Sequence, residues 1–142
     1  MGITEQQFRQ LLDNQTRAAG RAAKPKREPG AYRSKTEAAY AGYLEVLRKA
    51  GLVDEWRYEP ATLKLAEGVR YTPDFLVRFR EGGLMVFHEV KGRKLDSFWS
   101  RPVGKVKVRL AAALFPWWTF AVVWPMGAAW DHWEVPSGEP RY

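Results

Sequence analysis

Two apolar runs on either side of a glycine pair constrain the fold of this chain more than any other feature. Residues 71–79 and 84–91 are rich in β-branched and aromatic side chains, and Gly82 and Gly83 lie between them. Both central residues of a type I′ turn need a positive φ, which glycine adopts without steric cost. The pattern therefore predicts a β-hairpin with a two-residue turn.

The length of this turn sets which residues of the hairpin face each other. The mostly apolar pairs on one face would be Phe79 with Val86, Val77 with His88, and Phe75 with Val90. The other face would carry Asp74 opposite Lys91 and Leu76 opposite Glu89. The register that packs the apolar side chains thus brings Asp74, Glu89 and Lys91 together at one end, and it makes His88 a core residue rather than a ligand.

The rest of the chain predicts helices around a mixed sheet. Residues 34–50 carry apolar side chains at helical spacing, Ser34 and Glu37 form a capping-box pattern, and Gly51 follows as a C-terminal stop. The further predicted elements are short strands within 55–66, a helix over 102–115, a buried strand over 118–124 and an edge strand over 130–135. This order is typical of an α/β or α+β domain with a mixed central sheet flanked by helices.

Basic residues are concentrated in front of this domain. Five of the seven net positive charges lie in residues 1–36, and the pI is about 9.8. The 142 residues suffice for one core. We therefore divide the chain into a basic N-terminal helix or arm over 1–33, helical over 4–19, and a folded domain over 34–142. The arm either lies along the phosphates of a nucleic acid or is solvated.

Composition also excludes several classes of protein. The chain contains no cysteine, which excludes disulfides, thiolate metal sites and cysteine nucleophiles. It has no run of eighteen apolar residues, and its N-terminus is polar. We therefore expect an intracellular, cytoplasmic protein with no membrane partner and no small-molecule cofactor.

The predicted cluster of Asp74, Glu89 and Lys91 suits a hard divalent cation. Magnesium prefers oxygen ligands, and the backbone carbonyl of Val90 would add a third oxygen to the two carboxylates. Lys91 would then position or deprotonate a water, or contact a phosphate. In the alternative interpretation, Asp74 and Lys91 form a cross-strand salt bridge and Glu89 is solvated. The apolar run at 85–87 favours the metal site, because charges at the end of a buried strand are costly.

Several short motifs resemble the signature of a nuclease superfamily. Thr72-Pro73-Asp74-Phe75, followed by His88-Glu89-Val90-Lys91-Gly92, resembles the PD-(D/E)XK motif. Ser34-Lys35-Thr36-Glu37, Gly51-Leu52-Val53 and Tyr58-Glu59-Pro60 are similar to a small phage- and prophage-encoded branch, which often has glutamine at the position of Glu59. The resemblance covers roughly residues 32–124.

This resemblance implies a restriction-endonuclease-like αβββαβ core and phosphodiester hydrolysis with Mg²⁺ or Mn²⁺ in the cytoplasm of a phage or prophage host. Residues 34–142 would then form the nuclease domain. The catalytic residues would be Asp74, Glu89, Lys91 and Glu37, and the metal ligands would be Asp74, Glu89, Glu37 and the Val90 carbonyl. Alternatively, Glu37 only caps its helix together with Ser34.

DNA, branched or duplex, is the expected partner. Resemblance suggests that Lys105 or Lys107, early in the second helix, touches the substrate backbone, although a solvated helix face fits equally well. The other basic residues expected to contact DNA are Arg33, Lys35, Lys24, Lys26, Arg27, Arg93 and Lys94.

Three functions fit these features. The first is a structure-selective endonuclease such as a Holliday-junction resolvase, which would act as a homodimer because a junction needs two cuts. The second is another phage nuclease that nicks, cuts flaps or acts as an exonuclease. The third is a non-catalytic DNA-binding protein with the same fold, against which the intact Asp74, Glu89 and Lys91 argue.

Overall fold

The computed structural model describes residues 31–92 and 102–137; for residues 102–105 it describes the backbone only. The helices of this part are α1 (Lys35–Lys49) and α2 (Pro102–Leu114). The strands are β1 (Val53–Tyr58), β2 (Leu63–Ala66), β3 (Val69–Tyr71), β4 (Phe75–Phe79), β5 (Met85–Val90), β6 (Thr119–Met126) and β7 (Ala129–Glu134). The predicted helix over 4–19 and the basic arm up to residue 30 lie outside the described residues.

Five strands form a central mixed sheet in the order β1-β4-β5-β6-β7, and β2 and β3 form a separate two-stranded sheet. Strands β5 and β6 are parallel, whereas the other neighbours in the central sheet are antiparallel. A parallel pair needs a long crossover, which α2 supplies. The predicted α+β class with a mixed central sheet is confirmed. The αβββαβ assignment to a particular nuclease fold stays a prediction.

The two helices cover opposite faces of the central sheet. Successive side chains of a strand point to opposite faces, and those of β6 divide accordingly. Ala121 and Val123 pack with the core under α1, whereas Phe120 and Val122 pack with the core under α2. Of the helices in the described residues, neither is long and apolar enough to cross a membrane.

Helix α1 begins and ends at the predicted signals. The Ser34 hydroxyl oxygen accepts a hydrogen bond from the Glu37 backbone N–H over 3.1 Å, which satisfies one of the free donors of the first turn. Gly51 has a φ of 80° just beyond the helix, a conformation that only glycine adopts readily.

The central hairpin has the predicted faces but not the predicted register. Phe75 pairs with His88 and Val77 with Val86, so each partner lies two residues away from the predicted one. The physical reason is the loop: residues 81–83 form a short 3₁₀ turn, which makes the connection longer than two residues. Both glycines of the loop have positive φ, as expected. A shift of two residues keeps every side chain on its face, because side-chain direction alternates with period two.

The predicted strand over 71–79 is interrupted. Its first residue, Tyr71, ends β3, and the strand of the central sheet begins only at Phe75. The β2–β3 hairpin packs instead against α2, where Leu63, Leu65 and Tyr71 join the core with Val108, Ala111 and Ala112.

His88 is a core residue, as predicted. It is fully buried, and a hydrogen bond of 2.6 Å joins its Nδ1 to the Tyr40 hydroxyl. Burial, together with neighbouring His132, lowers the pKa of His88 to about 3. The imidazole is therefore neutral at physiological pH.

Candidate active site

The two carboxylates of the predicted cluster meet at the end of β5. Asp74 directly precedes β4, and Glu89 is the penultimate residue of β5. The Val90 backbone N–H donates a hydrogen bond of 2.7 Å to Asp74 Oδ2. The observed register, continued by one residue from the Phe75–His88 pair, places Asp74 opposite Glu89. The predicted pairing of Asp74 with Lys91 is therefore wrong, because the longer loop shifts the partner strand.

Two side chains hold the Glu89 carboxylate in one orientation. The Tyr71 hydroxyl donates to Oε2 over 2.7 Å, and Lys91 Nζ donates to Oε1 over 3.2 Å. The Glu89 side chain is only 13% exposed, and that of Lys91 is 30% exposed. Lys91 thus forms its ion pair with Glu89 rather than with Asp74.

Burial is the main influence on the ionisation of both carboxyl groups. Burial, together with the charge of Glu89, raises the pKa of Asp74 to about 8, although the Val90 N–H opposes the shift. Burial also raises the pKa of Glu89, and Lys91 and Tyr71 partly offset this. The fold therefore holds two carboxylates together where ionisation is unfavourable, which is an arrangement that a bound cation would relieve.

Glu37 lies close enough to the pair to act on it electrostatically, since its charge raises the pKa of both Asp74 and Glu89. Its own carboxylate accepts a hydrogen bond of 2.6 Å from the Tyr58 hydroxyl. Across residues 31–92 and 102–137, no three acidic or histidine side chains converge closely enough to hold a metal ion. Asp74 and Glu89 are thus the central pair, and a ligand role for Glu37 stays a prediction.

A cavity of about 300 Å³ opens beside the two carboxylates. Its lining residues are Arg33, Arg70, Tyr71, Thr72, Asp74, Glu89 and Lys107. This volume is at the small end of the range for ligand sites. The lining of the cavity thus combines two carboxylates with three basic side chains.

The structure brings two of the predicted DNA-binding residues to this cavity. Arg33 forms an ion pair of 2.8 Å with Glu59, and Lys107 Nζ donates to the Arg70 carbonyl over 2.9 Å. Lys35 is exposed at the start of α1. The side chains of Lys105, Arg93, Lys94, Lys24, Lys26 and Arg27 lie outside the described part of the chain.

Sequence reasoning missed Arg70 and Tyr71, both of which line the cavity. The available signal was the Leu63–Tyr71 stretch, in which two short runs flank Gly68. The sequence alone predicts that Tyr71 belongs to the strand that contains Asp74, so it does not reveal the contact with Glu89.

Glu59, whose backbone conformation is uncommon, holds the backbone at Asp74 in place. Glu59 has a φ of 44°, an uncommon conformation for a residue with a side chain. Its N–H donates to the Asp74 carbonyl over 2.8 Å, and its carboxylate binds Arg33. Strained backbone of this kind persists where neighbouring contacts determine it, and here those contacts position Asp74.

Replacing Tyr71 with phenylalanine should weaken Mg²⁺ binding by about tenfold to a hundredfold, as is typical when a residue that orients a metal ligand is lost. The ring would still pack against α2, whereas Glu89 would lose the hydroxyl that orients it. Mg²⁺ titrations followed by melting temperature measure the effect. Tyr40→Phe is the matched control, because its hydroxyl binds His88 in the core under α1 instead. Equal Mg²⁺ affinity in Tyr71→Phe and wild type would contradict this positioning role.

Comparisons with known proteins add little to the site. No family model matches the chain, and no curated protein matches it. A solved structure named "Crystal structure of SSO0001" is similar to 91% of this chain and 77% of its own, with 14% identity and a TM-score of 0.36. A similarity this weak supports no argument about fold or function.

Proposed function

We propose that this chain is a Mg²⁺-dependent nuclease that hydrolyses phosphodiester bonds in DNA. The observation that carries the proposal is the partly buried pair of Asp74 and Glu89 in the lining of a polar cavity, with Lys91 bonded to Glu89. A pair of carboxylates that is partly buried and mutually repulsive destabilises a fold. Its presence beside a cavity therefore favours a function over a structural role.

The donor set fits a hard divalent cation. Asp74 and Glu89 supply carboxylate oxygens, and the Val90 carbonyl is the third protein oxygen in the proposed site. The described part of the site offers no thiolate or imidazole ligand of the kind that zinc prefers. A divalent cation bound there would acidify a water and neutralise charge on the phosphate.

The residues of the chain have separate tasks in this proposal. Val90 N–H and Tyr71 hold Asp74 and Glu89 in fixed orientations. Lys91, whose ammonium lies on Glu89, positions the attacking water or contacts the phosphate; as a neutral amine it would instead accept the proton of the water. Lys107 and Arg33 supply positive charge at the cavity, where the substrate backbone would pass.

The finer proposal is a structure-selective endonuclease of a phage or prophage, similar to Holliday-junction resolvases and active as a homodimer. It rests on the resemblance of the motifs and on the net charge of +7. A nicking, flap-cutting or exonucleolytic enzyme would use the same residues, so the choice among these substrates is a matter for experiment.

The test is a cleavage assay with the full chain on junction, flap, duplex and single-stranded DNA. We expect cleavage with Mg²⁺ or Mn²⁺ and none with EDTA. Paired symmetrical cuts in the junction, together with a dimer on a sizing column, would support the resolvase. Binding to DNA without cleavage of any substrate would instead indicate a non-catalytic DNA-binding protein.

Thermal stability gives a second test that does not depend on activity. Mg²⁺ should raise the melting temperature, because a ligand that binds only the folded state stabilises it, by about 2.7 kcal/mol at a hundred times the Kd. The shift should be larger at about pH 9 than at about pH 6, since a proton on Asp74 competes with the metal. An equal shift in Asp74→Asn would contradict the proposed site.

A further inference from the structure

We infer that Arg70 is a phosphate-binding residue and that the β2–β3 hairpin presents it to the backbone of the nucleic acid beside Asp74 and Glu89. The inference deepens the proposed function, on which it rests for the identity of the polyanion. Neither the predicted DNA-binding residues nor the motifs include this arginine. Its support comes from charge pairing, strand register and packing.

The first observation concerns ion pairs. Over most of the described surface, basic side chains have acidic partners: Arg33–Glu59, Arg48–Glu45, Arg57–Glu55, Lys64–Glu67, Arg80–Asp54 and Lys91–Glu89. Arg70 lines the cavity, yet its guanidinium has no such partner among residues 31–92 and 102–137. An arginine without a partner at the wall of a polar cavity is suited to an external anion, which its planar group can bind through two hydrogen bonds.

The second observation is the accumulation of like charge around Arg70. In the β2–β3 register, Arg70 lies directly opposite Lys64, and like charges in this position are destabilising. The Lys107 ammonium also approaches, at 2.9 Å from the Arg70 carbonyl. The acidic partner of Lys64 is Glu67, whose side chain is 94% exposed, so it contributes little neutralisation. A phosphate bound at Arg70 would relieve this repulsion.

The third observation is that the hairpin is firmly attached. The side chains of Leu63, Leu65 and Tyr71 are buried against α2. Tyr71, which follows Arg70 directly, also donates to Glu89. The position of Arg70 is therefore coupled to the carboxylate pair through one residue of strand, which allows it to hold a phosphate in a fixed place relative to that pair.

Electrostatics gives the reason for such a residue. Two carboxylates at the wall of the cavity repel a polyanion, and Lys91 is already bonded to one of them. A cation in the lining of the same cavity offsets the repulsion and orients the nucleic-acid strand. Arg70 differs from Arg33 in this respect, because Arg33 forms an ion pair with Glu59.

The experiment measures DNA binding without turnover. The Arg70→Gln and Arg70→Lys changes are made in the full chain that also carries Asp74→Asn, and binding of duplex and single-stranded oligonucleotides is followed over a range of salt concentrations. Arg57→Gln is the matched control. It also removes an exposed strand arginine, with a side chain 69% exposed, but one that does not line the cavity.

We expect Arg70→Gln to weaken binding about tenfold to a hundredfold, as for the loss of hydrogen bonds to a charged group. The slope of log K against log salt should become shallower by about 0.9 on duplex or about 0.7 on single strands. Arg70→Lys should keep the wild-type slope with intermediate affinity, because it keeps the charge and loses the two-point contact. The melting temperature of Arg70→Gln should equal or exceed that of its parent, since the repulsion from Lys64 is removed.

The outcomes separate this inference from the proposed nuclease activity. If Arg70→Gln behaves like Arg57→Gln in affinity and slope, the inference is overturned, whether or not the wild type cleaves DNA. If the slope changes as expected but the wild type cleaves nothing, the phosphate site stands and the nuclease proposal fails. If the Asp74→Asn protein with Arg70 intact binds neither oligonucleotide, the proposed phosphate site is also overturned.

Discussion

Replacing Asp74 with asparagine should abolish Mg²⁺-dependent cleavage while making the folded protein more stable. The cleavage rate should fall by about a thousandfold or more. A metal ion stabilises the charge of the transition state by several kcal/mol, and a loss of about 1.4 kcal/mol lowers the rate tenfold. The amide oxygen can still accept the Val90 N–H, so the local backbone should stay in place. Glu89→Gln should have the same effect on cleavage.

The gain in stability follows from the raised pKa of Asp74. The Asp74 carboxyl has a pKa of about 3.9 in the unfolded chain and a pKa of about 8 in the folded protein. Between these values the folded state binds the proton more tightly, so the free energy of unfolding falls as the pH rises. The stabilising contribution of this proton is complete below about pH 4 and is lost as the pH rises through about 8. Asparagine does not titrate, so the stability of Asp74→Asn should exceed that of the wild type increasingly over this window.

Urea denaturation in EDTA at a series of pH values measures the difference, with cleavage assayed in parallel. Asp54→Asn is a suitable control, since Asp54 is an aspartate of the same sheet that is paired with Arg80 at 2.8 Å. That change should keep cleavage and should not raise stability. Cleavage by purified Asp74→Asn at the wild-type rate would show that Asp74 is not part of the active site. If Asp74→Asn were less stable than the wild type, the proposed cost of burying the Asp74 carboxylate would be contradicted.

Replacing Lys91 with methionine should lower the cleavage rate by about a hundredfold to ten-thousandfold, the usual range for a lost general acid or base. Mg²⁺ affinity should stay the same or increase. The reason is that Lys91 Nζ lies 3.2 Å from Glu89 Oε1, where its charge competes with a cation for the same oxygen. Single-turnover rates at saturating Mg²⁺, compared with thermal shifts during Mg²⁺ titration, separate the two effects.

Two variants sharpen the test of Lys91. Lys64→Met removes a lysine from a more exposed ion pair, with Glu67, and should leave the rate unchanged. Lys91→Arg keeps the charge but cannot be deprotonated at accessible pH, so activity in this variant would indicate an electrostatic role. If Lys91→Met instead loses stability and keeps turnover, the salt-bridge interpretation of Lys91 is the correct one.

Much of the candidate site could be predicted from the sequence, because it depends on local rules. The alternation of side chains along β4 and β5 predicts that Asp74 and Glu89 lie on the face opposite Phe75 and Val77. This placement is correct although the predicted register is wrong, because the shift is two residues. The helix cap at Ser34 and the helix end at Gly51 could be predicted for the same reason, since each depends on the conformation of one or two residues.

Contacts between distant segments could not be predicted in this way. The partner of Lys91 changed from Asp74 to Glu89 because the loop at 81–83 is longer than a two-residue turn. The position of Glu37 depends on Tyr58, which lies 21 residues away in the chain. No periodicity in a single segment encodes either contact.

The class of fold, the face on which the acidic residues lie and the chemistry that they permit follow from the amino-acid sequence alone, because side-chain period and residue type are local properties. Only the tertiary structure decided that the Leu63–Tyr71 segment leaves the central sheet and packs on α2. That packing brings Tyr71 to Glu89 and Arg70 to the cavity. The tertiary structure also sets the burial that raises the pKa of the two carboxyl groups, since desolvation depends on the elements that surround a side chain and not on its neighbours in the chain.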